Sequence, residues 1–88
     1  LDLITVTPAI QGERGLRSEQ GALIIGIAPD IARSTGLRQG DVIVAINRTM
    51  IESAGQVGEI FDGITPRQLL RIHIERDRQY AFTDLAFR

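Results

Sequence analysis

The sequence predicts an α+β fold, in the order strand, loop, strand, short helix, strand, longer helix, strand, strand. Three observations carry that prediction. First, Gly36-Leu37-Arg38-Gln39-Gly40-Asp41-Val42-Ile43-Val44-Ala45-Ile46-Asn47 sets a tight Gly-Asp turn directly before an apolar strand and ends the strand at a turn-forming Asn. Second, Gly21 to Ala28 is an almost unbroken apolar run bounded by Gly and Pro, as in a strand covered on both faces in the middle of a sheet. Third, a helix-opening Ser53 with Gln56 three residues on is followed by a segment, Gln68 to Arg76, whose apolar residues alternate with polar ones.

Taken in order, Leu1 to Thr7 alternates β-branched and polar residues and reads as a short strand. Pro8, which has no N–H to donate, ends its pairing. Ala9 to Gln20 carries two glycines and several charges without a sustained period, so it reads as a surface loop with room for one helical turn. After the central strand, Pro29 and Asp30 open a short helix that Gly36 closes. Asp30 is expected to accept from the free N–H groups and Gly36 to take the left-handed position. Val42 to Asn47 is the next strand. The Ser53 helix runs to about Asp62, with Gly63 at its end. In Gln68 to Arg76, Leu70, Ile72 and Ile74 share one face, and Arg71, His73 and Glu75 share the other. Arg76 to Gln79 turns the chain, and Tyr80 to Phe87 returns with its alternation slipping at Thr83-Asp84, where a bulge is expected.

Composition narrows the function. A chain of 88 residues is one domain, taken here as residues 1–88, and its start at Leu1 on strand-like sequence points to a piece excised from a longer protein. Ten basic residues, all arginine, and eleven acidic ones are scattered to a net charge of -1, so no basic field draws nucleic acid. No apolar run approaches the ~20 residues that cross a bilayer as a helix. Without cysteine there is neither a disulfide frame nor a thiolate metal site.

The Gly36–Asn47 segment, the Gly21–Ile27 strand upstream and the helix after Ser53 together resemble the core of a PDZ domain, of the circularly permuted kind appended to bacterial HtrA/Deg-like trypsin-family serine proteases. The resemblance spans essentially the whole chain and is strongest from Gly21 to Glu75. It implies a small, partly open antiparallel β-barrel or sandwich of five to six strands, capped by one short and one longer helix. It also implies a non-catalytic module without cofactor that takes in unfolded or C-terminal peptides, or internal hydrophobic segments, by strand addition. Such a module would dock substrates for, or regulate, an attached protease domain lying before Leu1, in the periplasm or cell envelope. A second reading is an assembly element that makes homo-oligomer contacts in the full-length protein with its groove filled by a neighbouring chain or its own flank.

By that resemblance the groove lies between the first strand and the longer helix. Ile4, Thr5 and Val6 would offer main-chain groups to the peptide. On the helix, Val57, Ile60 and Ile64 form one stripe, assigned to the core, while Ala54, Gly58 and Phe61 form an adjacent stripe, assigned to the groove wall. Gly58 costs ~1 kcal/mol against alanine inside a helix. Either something must approach closely there, or Gly55 and Gly58 simply weaken a tolerant surface helix. Two departures from the family pattern stand out. Asp2 and Leu3 are read where the carboxylate-binding turn has Leu-Gly, so Asp2 would oppose a ligand carboxylate and Leu3 would hinder close approach of the backbone. Asn47-Arg48 replaces Asn-Gly, which implies another turn type.

Signals for catalysis are weak. His73 sits on the polar face of a strand, between Arg71 and Glu75. Ser18, Ser34 and Ser53 lack a nucleophile turn, and Ser53 already has a capping role. Asp41 and Glu52 have turn and surface readings, and Gly12, Gly15 and Gly21 make no phosphate cradle.

Overall fold

The computed structural model describes residues 1–65 and 68–86; the Phe87 end of the expected last strand lies outside them. Nine elements follow one another. They are β1 (Asp2–Thr5), α1 (Pro8–Arg14), β2 (Ala22–Gly26), α2 (Pro29–Thr35), β3 (Val42–Ile46), β4 (Thr49–Met50), α3 (Ala54–Asp62), β5 (Leu69–Arg76) and β6 (Gln79–Ala86). The strands form one open antiparallel sheet in the order β1-β2-β3-β5-β6, with the short β4 paired to β3. This is the expected α+β architecture with six strands.

Both faces of β2 are covered at its start, as its apolar run predicts. Ala22 and Ile24 pack with Ile43, Ile72, Leu70 and Val57 of α3, while Leu23 points the other way and packs with Val6 and Val42. The cover on that second face comes from Ile10 and Leu16, on or just after α1. Ile25, further along, is exposed, so the double cover stops short of the run's end.

α1 is the clearest departure from the sequence reading, which made Ala9–Gln20 a loop. Its ends are well specified: the Thr7 hydroxyl accepts from Ile10 N–H, Pro8 occupies the first turn, and Gly15 closes the helix in the left-handed region. Only the interior, interrupted by Gly12, lacks a strong period. At α2 the cap also differs. Ala28 holds the N-cap position without a side-chain bond, and Asp30 sits within the first turn, where its charge rather than a capping bond favours the helix end.

The Gly-Asp turn forms as expected. Gly40 has a φ of 96°, and its N–H and the Asp41 carbonyl both bond Ile24 of β2, extending the β2–β3 ladder. The Asp41 carboxylate, buried, accepts from Arg38 N–H at 2.9 Å and from the Arg76 guanidinium at 2.8 and 2.6 Å. The β5–β6 hairpin turns on Asp77 and Arg78, both with positive φ, which is the mirror-image turn formed without glycine. The bulge expected at Thr83-Asp84 is absent: β5 and β6 stay in register from the Leu69–Ala86 pair to the Arg76–Gln79 pair. Thr83 is drawn inward to donate to the Thr35 carbonyl, and Asp84 outward to a bidentate pair with Arg71, so local polar contacts explain the pattern without an extra residue.

Glu75 lies on the face that alternation gives it, but that face is covered there. It is buried, not solvated, because the segment after α1 folds over it; Arg17 N–H, Ser18 N–H and the Ser18 hydroxyl all donate to its carboxylate. Burial alone would raise this carboxyl. The Ser18 and Arg17 bonds and the Arg17 charge outweigh burial and hold it below its ordinary value of 4.5.

Candidate functional site

β1 stands at the edge of the sheet, with β2 as its strand partner, so its other edge is unpaired among the described residues. Val6 N–H donates to the Gly21 carbonyl, and Ile24 bonds towards β3 instead of β1. Alternation along an antiparallel ladder then directs the main-chain groups of Ile4 and Val6 towards β2 and those of Leu3 and Thr5 towards the free edge. Of the three residues expected to offer main-chain groups, Thr5 alone faces that edge, and Leu3 joins it. Ile4 and Val6 place their side chains in the second core cluster.

α3 lies across this edge. Ser53 Oγ accepts from Gln56 N–H at 3.3 Å, as the spacing predicts, whereas Gln56 reaches one residue further back and accepts from Glu52 N–H at 2.7 Å. The first N–H of the helix, at Ala54, donates to Thr5 Oγ1 at 3.0 Å, so the strand's C-terminal end is tied to the helix N-terminus.

Between the two elements is a groove of about 820 Å³. Leu1 and Leu3 line it from the strand side; Ala54, Gly58 and Phe61 line it from the helix, with buried Val57 beneath. Ile31, Ser34 and Thr35 of α2, Leu37 and Leu85 of β6 also line it. The structure thus brings Leu3, Ala54, Gly58 and Phe61 together. It does not bring Asp2, Ile4, Thr5 or Val6 into the lining, although Thr5 holds the rim. Because side chains alternate in a strand, Leu1 and Leu3 share the groove face and Asp2 turns from it. The Asp2 carboxylate lies over Gly26, where an added Cβ would be 2.7 Å from its Oδ2.

Sequence reasoning missed Leu1, the α2 residues, Leu37 and Leu85. Leu1 could have been found from its two-residue spacing to Leu3. The others arrive through tertiary packing that no local pattern announces.

Among the described residues Gly58 has nothing within 4 Å of where a Cβ would be, and its φ lies outside the left-handed region. Neither packing nor backbone geometry asks for glycine there. Asp62 is the one charged side chain among the described lining residues.

Of the serines weighed for catalysis, Ser34 lines the groove and donates its hydroxyl to the Ile31 carbonyl, and the other two are engaged elsewhere. Ser53 caps α3, Ser18 bonds Glu75, and half-buried His73 lies with its ring 6.1 Å from that of Phe82. Among the described residues no group of His, Cys, Asp or Glu could hold a metal ion.

An open strand edge facing a helix across an apolar groove is the geometry of strand addition, and the PDZ domain family model matches residues 4–74. The chain belongs to the PDZ family. PDZ domains are non-catalytic modules that bind peptides. Two of the solved structures similar to this one illustrate the likeness. The HtrA3 PDZ domain bound to a phage-derived ligand, FGRWV, superposes with a TM-score of 0.82 at 21% identity, covering 98% of this chain and 79% of that one. The HtrA-type protease AlgW with a decapeptide superposes at 0.80 and 25% identity over 99% of this chain. The PDZ chain spans 27% of that protease's length. No curated protein sequence matches the chain.

Proposed function

We propose that this PDZ domain takes an extended hydrophobic segment into the groove as a further strand on β1, and that it docks substrates for, or regulates, an attached HtrA-like serine protease in the bacterial periplasm or cell envelope. The observation that carries the binding mode is the edge of β1 left unpaired among the described residues, with the main-chain groups of Leu3 and Thr5 directed at an apolar groove walled by α3. Each main-chain bond made there would contribute ~0.5–1.5 kcal/mol net, and the groove side chains would supply selectivity. The peptide complexes of the HtrA3 PDZ domain and AlgW support the same use of the fold, and AlgW supports the link to a protease.

Titrating the isotopically labelled chain with a hydrophobic peptide tests this. Chemical-shift changes should centre on Leu3, Thr5, Ala54, Gly58 and Phe61. Silence at those positions at millimolar peptide, or changes confined to the β5–β6 face, overturns it.

A further inference from the structure

The two ends of the groove differ in charge. β1 spans four residues and α3 nine, roughly 13 Å each. Since Thr5 is tied to Ala54 at one end, Leu1 and Leu3 fall beside Phe61 and Asp62 at the other. That second end is where α3 terminates, with the partial negative charge of its last carbonyls. No basic residue occupies the helix's last turn; Asp62 stands there instead, the sign that the helix dipole disfavours. Asp62 is exposed, lines the groove, and has no cationic partner among the described residues. None of the described arginines lines the groove. Beside this acid the pocket itself is mostly apolar, with Leu1, Leu3, Leu37, Phe61 and Leu85 in its lining.

A peptide that ended in this pocket would bring its own carboxylate next to Asp62 and the helix end. A peptide that continued past the pocket would bring a neutral amide, and a cationic side chain at that position would meet Asp62. We infer that the groove selects internal segments in which a large apolar residue is followed directly by Arg or Lys, and disfavours free C-termini. This rests on the groove being the peptide site and adds the chemistry of its preferred occupant.

Three versions of one N-acetylated hydrophobic peptide separate the two claims: with a free carboxylate, with a C-terminal amide, and with an added Arg-amide. Isothermal titration of the chain should give affinities that rise in that order, by roughly two- to fivefold per step at low ionic strength, as exposed charge pairs allow. The spread should shrink as salt is raised. Asp62→Asn should remove most of the advantage of the Arg-extended peptide over the amide. Equal affinities, or tightest binding by the free carboxylate, overturn the inference while leaving strand addition in place. Failure of all three to bind removes both.

Discussion

The two ends of this PDZ domain treat their polar groups in opposite ways. Around β3, β5 and the loop after α1, two carboxylates are buried and each is surrounded by donors: Asp41 by Arg38 N–H and the Arg76 guanidinium, Glu75 by Ser18 and Arg17. Among the described residues no buried side-chain polar atom is left without a partner. Around β1 and α3 the reverse holds. A strand edge faces an apolar groove, a helix wall lacks a side chain at Gly58, and the acid at the helix's end has no described cation beside it. Buried charges are tolerable only when bonded, because desolvation otherwise costs several kcal/mol. The satisfied end can therefore fix the sheet, and the unsatisfied end can exchange partners with little loss to the fold.

The comparison breaks most visibly at Asp41. Asp41→Ala would leave Arg38 N–H and the partly buried Arg76 guanidinium without their acceptor, and loss of one partner of a buried pair costs about 3 kcal/mol. Urea unfolding should register a loss of that size. If the mutant were as stable as the parent, the bonded end would not be what fixes the sheet.

Glu75→Gln is the next largest change, about 2 kcal/mol at neutral pH, since the replaced group accepts three bonds while charged. Its pH dependence has a definite sign. The folded carboxyl titrates below its ordinary value of 4.5, so its contribution is fully present above that value and is lost as the pH falls through the lower, folded one. The stability gap between parent and Glu75→Gln should therefore be flat above 4.5 and close on acidification below it. A gap that widened in acid would mean that burial outweighs the bonds.

Glu75 also marks where reading the sequence stops working. Alternation correctly set Leu70, Ile72 and Ile74 against Arg71, His73 and Glu75, but alternation assigns faces and not cover, and the cover here comes from Arg17 and Ser18, more than fifty positions away in the chain. β2, β3, α2 and α3 were legible because their signals are local: Gly40 and Asp41 before β3, Ser53 and Gln56 at α3, Gly36 after α2. α1 carried equally local caps in Thr7, Pro8 and Gly15, yet the same residues read as loop signals once Gly12 broke the period between them. β4, two residues long, has no period to detect. At the groove the helix wall was legible from its i, i+4, i+7 spacing. The rest of its lining was not, because Leu37, Thr35 and Leu85 meet there only through tertiary packing.

The smallest expected effect tests the open end directly, through the one residue whose cost the fold does not explain. Gly58 lies in the interior of α3 with an ordinary helical φ and free space around its missing Cβ. On stability alone, Gly58→Ala should help by up to ~1 kcal/mol, through the helix preference of alanine and the smaller entropy of the unfolded chain. If the groove receives a peptide side chain against that bare turn, the same methyl intrudes on the occupant and affinity should fall while the thermal midpoint rises. The two readouts move in opposite directions only if Gly58 serves the groove. A variant that is more stable and binds as well as its parent would make Gly58 an ordinary weak point of a surface helix, and the glycine would no longer distinguish the open end from the bonded one.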